Sequence, residues 1–140
     1  MTKLDSAALI EAALAARKSA YCPSTGYAVG AAVMGESGRL YPGCNVESPT
    51  AILNVCAERS AIYSALAHGE RRITAVSTAS AASLPCGVCR QALLEFGGPD
   101  TPVFSVMLGR GAGKRRVVKT TAGKLLPGAH TGATVEKYTK

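Results

Sequence analysis

The sequence predicts an α/β fold, a mixed five-stranded sheet with helices packed on it. Three observations carry this. Hydrophobic residues make up 47% of the 140-residue chain, enough for a packed core and too many for a disordered segment. The apolar period switches between helical and extended, in the order strand, helix, strand, helix, strand through the middle of the chain. Residues 73–78 show little polar alternation and residues 103–108 are almost continuously apolar, as strands covered on both faces are.

Each element has its own local signal. Residues 6–19 form a helix in which Asp5 is a suitable N-cap, Leu4 can staple onto Leu9, and Leu9, Ile10, Ala13 and Leu14 make one apolar stripe. Residues 21–26 are a loop. Residues 27–34 and 39–46 are strands joined by the turn Glu36-Ser37-Gly38, and so form an antiparallel hairpin. Residues 56–68 form a helix with Ile62 and Leu66 four apart and Gly69 as its stop. The strand at 73–78 leads to a helix at 86–95 that Gly97 ends, then to the strand at 103–108. A crossover of this kind makes those two strands parallel. Residues 115–120 form a last strand, followed by a short helical turn at 121–126. The length suits one domain spanning 1–140, with the final ten residues as a mobile basic tail.

Charge and cysteine usage narrow the functional classes. Residues 1–109 are electrically balanced, so the whole net charge of +7 lies in residues 110–140. A basic segment can bind nucleic acid. No aromatic side chains interleave with Lys114, Arg115 and Arg116 as a stacking platform would need, so a solvated edge strand is favoured over nucleic-acid binding. No apolar run approaches the ~20 residues that span a bilayer. The first residues have no signal-peptide core. A membrane is therefore not expected as a partner, and the expected location is the cytoplasm. Five cysteines are an odd number, unsuited to a disulfide framework. Cys22 and Cys44 are expected to be buried as small hydrophobes.

The other three cysteines carry the chemistry. Cys56-Ala57-Glu58 is followed thirty residues later by Pro85-Cys86-Gly87-Val88-Cys89. Three thiolates suit one zinc ion and leave a position for water, as in a catalytic site. Both clusters fall where helices begin. There the partial positive charge and the unpaired N–H groups favour thiolates. Cys86 and Cys89 share a helix face. Cys56 and Glu58 converge only if the helix starts almost at Cys56. Glu58 is the candidate proton carrier for the water. Three thiolates on a divalent cation leave a net negative charge, and Arg59 and Arg90 are candidates to offset it by donating to the sulfurs. A redox dithiol and a four-ligand structural zinc site are the competing readings of these cysteines, and a silent zinc-binding protein is the non-enzymatic one.

The chain resembles the small homotetrameric cytidine deaminases, members of the zinc deaminases. The likeness runs from about Leu9 to Pro127. Beyond the zinc motifs it includes Tyr21-Cys22-Pro23, Val29-Gly30-Ala31-Ala32, Gly43-Cys44-Asn45-Val46-Glu47, Cys89-Arg90-Gln91 and Leu125-Leu126-Pro127. The resemblance implies a three-layer α-β-α fold, one zinc per chain, a homotetramer (or homodimer), and a role in pyrimidine salvage. It implies deamination of cytidine or deoxycytidine to the uracil nucleoside, with Glu58 catalytic and Cys56, Cys86 and Cys89 on the metal. Asn45 and Glu47 would bind ribose hydroxyls, the Ala57 N–H the 2-oxo group, and the Leu84 carbonyl the 4-amino group, with Tyr27 lining the pocket. Four departures from the family pattern line the rim: Tyr27 for Phe, Ser48 for Asn, Ala51 for Tyr, and His130 where Phe is common. They make a deaminase of modified cytosine nucleosides, of the blasticidin S type, the runner-up.

Overall fold

The computed structural model describes residues 3–82, 84–110 and 114–139. The elements run α1 (Ser6–Arg17), β1 (Gly30–Gly35), β2 (Leu40–Cys44), a 3-10 turn (Ala51–Leu53), α2 (Ala57–Ala67), β3 (Ile73–Ser80), α3 (Gly87–Gly97), β4 (Pro102–Met107), β5 (Arg116–Thr121), α4 (Ala122–Leu125) and α5 (Gly132–Thr139). One sheet holds the strands in the order β2-β1-β3-β4-β5. Only the β3–β4 pair is parallel, as the crossover through α3 requires.

Three layers follow from how the side chains alternate. Ala31 and Val33 of β1 pack with Ala57, Ala61, Ile62 and Leu93 under α2 and α3, whereas Ala32 and Met34 pack with Leu9 and Ala13 under α1. Asp5 caps α1 by accepting from the Ala8 N–H at 3.0 Å, and Leu4 lies against the same cluster as Leu9. Two glycines permit close approach of helix to sheet. A Cβ on Gly30 would lie 2.1 Å from the Ala13 carbonyl oxygen, and one on Gly43 would lie 2.4 Å from the Ala61 nitrogen.

A bulge at Thr74 sets which β3 side chains reach which layer. Met34 pairs with Ala75 but Gly35 pairs with Ile73, so Thr74 is the extra residue. Its hydroxyl donates to the Met34 and Gly35 carbonyls at 3.2 and 3.3 Å. Ile73 and Val76 consequently share the α2–α3 face, and Ala75 and Ala79 face α1.

The turn of the β1–β2 hairpin is anchored by a buried carboxylate. Glu70 accepts from the Ser37 hydroxyl, from the Ser37 N–H at 3.2 Å and from the Tyr41 hydroxyl at 2.9 Å. These bonds, the Ser37 hydroxyl first, hold its carboxyl below the usual range. A depressed folded-state pKa stabilises the fold above the unfolded value of about 4.3, and the contribution is lost as pH falls through the folded value. The melting temperature of wild type should therefore exceed that of Glu70→Gln by more at pH 7 than at pH 3. Equal differences in thermal melts at both pH values would refute the assignment.

The local structure differs from the expected pattern at four places. β1 begins at Gly30 rather than at residue 27, because the Asn45 side chain takes the Tyr27 carbonyl and the Val29 N–H. Cys22 and Cys44 are half-buried rather than buried, and their thiols donate to oxygen, Cys44 to the Ser19 carbonyl at 3.4 Å. The 3-10 turn at Ala51–Leu53 has no counterpart in the periodicity. Residues 132–139 form α5 where a mobile tail is expected. Glycine and threonines are weak helix formers and hide it, although the Thr139 hydroxyl bonds back to the Val135 carbonyl at 2.9 Å. Lys140, the end of that tail, lies outside the described residues.

Candidate active site

Two helix starts converge at one end of the sheet. Cys56 is the N-cap of α2 and Cys86 the N-cap of α3, both with extended backbone. Their carbonyls accept the first helical bonds, from the Ser60 and Arg90 N–H groups. Glu58 therefore falls in the first turn of α2 and Cys89 in the first turn of α3. The sulfurs of Cys56, Cys86 and Cys89 lie within 4.8 Å of one another, and Cys56 to Cys86 is 3.7 Å. Tetrahedral zinc with Zn–S bonds of ~2.3 Å sets its sulfurs about 3.8 Å apart. The donor set, its spacing and its two helix dipoles thus fit one zinc ion per chain.

The electrostatics agree with that fit. Three sulfurs this close cannot all be anionic without a compensating cation. The Cys56 thiol is lowered to about 5, first by the hydrogen bond from Cys89 and then, against burial, by Arg59. Cys89 is pushed up by the same shared hydrogen bond and by burial. The Arg59 Nη2 donates to the Cys56 sulfur at 3.7 Å, while its Nε is buried with no partner among the described residues. The Arg59 guanidinium is pushed up in pKa, chiefly by that bond to Cys56. Arg90 acts elsewhere. Its Nε donates to the Pro85 carbonyl at 2.7 Å and its Nη1 to the Leu125 carbonyl at 3.0 Å. It thereby braces the start of α3 against α4 rather than donating to a sulfur as expected.

Glu58 is 5% exposed, and burial pushes its carboxyl up, with the Cys56 sulfur adding to the effect. It opens onto a cavity of about 460 Å³. Val29, Val55 and Leu84 give this cavity apolar walls, and Cys56, Cys86 and Thr78 line it as well. Ala57, the first residue of α2, lines it too, at the point where helix N–H groups lack helical partners.

Tyr27, Asn45 and Glu47 meet at the mouth. The Asn45 amide is largely committed: Oδ1 accepts from the Val29 N–H at 2.9 Å and Nδ2 donates to the Tyr27 carbonyl at 2.8 Å. Glu47 Oε1 accepts from the Thr25 hydroxyl at 2.9 Å and the Thr25 N–H at 3.3 Å. The Tyr27 hydroxyl accepts from the Ala82 N–H at 3.2 Å. Of the four departures expected at the rim, Tyr27 alone is among the residues lining the cavity; Ser48 donates its N–H to Asn54 Oδ1, Ala51 opens the exposed 3-10 turn, and the His130 carbonyl accepts from Gln91.

The family model for the cytidine and deoxycytidylate deaminase zinc-binding region matches residues 3–105. The chain belongs to this deaminase family. Among relatives, the Sporosarcina psychrophila cytidine deaminase is 37% identical over 129 residues, covering 90% of this chain and 91% of that protein. The Halalkalibacterium halodurans cytidine deaminase is 36% identical, covering 91% and 96%. The solved structure of cytidine deaminase from Burkholderia pseudomallei superposes with a TM-score of 0.78 at 42% identity, over 91% of this chain and all of that one. These relatives favour a hydrolytic deaminase over a redox dithiol, a structural zinc module or a silent binding protein. They do not favour the blasticidin S type.

In this deaminase, sequence reasoning missed three polar cavity residues, Thr25, Asn54 and Thr78, besides the apolar Val29, Val46 and Val55. Thr78 is invisible because the Thr74 bulge breaks the alternation counted from Ile73. Asn54 and Thr25 lie in irregular segments, where no periodicity marks an inward position. The one usable signal is the polar side chain of Asn54, two residues before Cys56.

Proposed function

We infer that the chain hydrolyses the 4-amino group of cytidine or deoxycytidine, releasing ammonia and the uracil nucleoside. One observation carries this: a buried carboxylate, Glu58, shares the start of α2 with Cys56, one of the three converging sulfurs, and faces a nucleoside-sized cavity. Zinc held by Cys56, Cys86 and Cys89 supplies, when bound, the Lewis acidity that makes water nucleophilic at neutral pH. Glu58 takes the proton of the attacking water and delivers it to N3 of the base. It then carries the second proton to the departing amine. Such a two-way carrier works best when its carboxyl is raised towards neutrality, and burial acts in that direction here.

The remaining residues position the base and sugar. The Ala57 N–H donates to the 2-oxo group, and the Leu84 carbonyl accepts from the 4-amino group. The Tyr27 ring borders the sugar. Glu47 keeps one carboxylate oxygen and Asn45 one N–H beyond their internal bonds. That leftover pair, one acceptor and one donor, suits a hydroxyl that donates to Glu47 and accepts from Asn45. Arg59 offsets the excess negative charge of the sulfurs.

Five free thiols suit a reducing compartment, so the reading includes pyrimidine salvage in the cytoplasm. No helix among the described residues is long and apolar enough to cross a membrane. The reading also includes a homotetramer, which the exposed Ile52, Leu53, Tyr63 and Val88 side chains support. The test is ammonia release from cytidine, deoxycytidine, free cytosine, blasticidin S and adenosine. Cytidine and deoxycytidine should turn over fastest. Faster turnover of cytosine or adenosine would overturn the sugar-reading assignment.

A further inference from the structure

We propose that Thr25 is a positioning residue: its hydroxyl fixes the Glu47 carboxylate so that one oxygen stays directed at the substrate's sugar. This rests on the nucleoside reading above and deepens it. Thr25 stands at a junction of the cavity mouth. Its hydroxyl donates to Glu47 Oε1 at 2.9 Å and accepts from the Tyr27 N–H at 3.0 Å, while its own N–H also donates to Glu47 Oε1 at 3.3 Å. Tyr27 is held in turn by Asn45, whose Nδ2 donates to its carbonyl at 2.8 Å. The Cys22 thiol lies beneath, 3.4 Å from both the Tyr27 carbonyl and Asn45 Oδ1.

Glu47 and Asn45 leave β2 two residues apart and would each have rotational freedom at an open rim. The loop at 22–27 removes that freedom through Thr25. Both of its bonds to Glu47 fall on the same oxygen, which leaves Oε2 as the acceptor for a sugar hydroxyl. An unpinned carboxylate would spend much of its time turned to solvent, and the substrate would bear the cost of ordering it. The effect falls on binding shared by ground state and transition state, because the sugar is remote from the bond that breaks. It therefore appears in KM rather than in kcat.

The experiment is steady-state deamination by wild type, Thr25→Val and Thr25→Ser, with cytidine and with 2′,3′-dideoxycytidine. Valine keeps the β-branched shape and removes the hydroxyl; serine restores it. For cytidine, Thr25→Val should raise KM about tenfold with kcat within about twofold, the scale of one partly solvated hydrogen bond to a charged group. Thr25→Ser should lie close to wild type. For dideoxycytidine, which lacks the 2′ and 3′ ring hydroxyls that Glu47 would accept from, kcat/KM should be the same in all three proteins. Thr25→Val acting equally on both substrates, or lowering kcat alone, would overturn the proposal by showing a general effect on the loop. So would Thr25→Val matching wild type on cytidine. Wild type that fails to deaminate cytidine would instead refute the nucleoside reading, and the proposal with it.

Discussion

Glu58→Gln is expected to reduce kcat by about 10³–10⁴-fold while zinc content stays at one per chain, the upper range for loss of a positioned acid–base group. Glutamine matches the shape of the carboxyl and cannot carry a proton. Glu58 is 5% exposed in the first turn of α2, so the substitution removes a buried ionisable group without opening a void. The fold should survive, and removing a group whose charged form burial disfavours should not lower the melting temperature. Zinc content by atomic absorption, melting temperature and kcat on one preparation decide the matter. A variant that turns over at the wild-type rate would strip Glu58 of its role. A variant that loses zinc would make Glu58 part of the metal's support.

Cys89→Ala is expected to abolish both zinc binding and turnover. Cys89 is fully buried and bonded to Cys56, and its helix start also carries Cys86. Two remaining sulfurs cannot complete the trio. Metal affinity should fall by more than about 100-fold, beyond the upper end for loss of an outer-shell partner. The apo-protein should also melt at lower temperature, since metal binding is folding free energy. Cys44→Ala is the control: that thiol bonds the Ser19 carbonyl, away from the trio, and its loss should leave zinc content unchanged. Stoichiometric zinc in Cys89→Ala, by titration with a chromogenic chelator, would exclude this cysteine as a ligand.

The fold was legible where local signals are strong. Asp5, Gly69 and the stretch without charged residues at 73–78 mark a cap, a stop and a covered strand, and all are where the sequence places them. The trio was legible for the same reason: a helix starting after Cys56 and another after Cys86 follow from short-range pattern. What escaped depends on partners distant in sequence. Nothing near residue 27 reveals that the Asn45 amide will occupy its backbone and delay β1 to Gly30. Nothing near Arg90 reveals that the Leu125 carbonyl will claim its guanidinium. Thr25 became visible only when the loop closed on Glu47.

The extra residue at position 74 lets Ile73 share a side of the sheet with Val76, three residues on. Val76 and Thr78 look towards α2 and α3, and Thr78 joins the cavity beside the sulfurs. Excising that one residue would leave Ile73 opposite Gly35 and Ala75 opposite Met34 in an unbroken ladder, so Thr78 and Ala79 would keep their sides. A single-codon deletion there should leave the interior of the binding chamber as it is, and the spare residue marks a point where the strand tolerates a change in length.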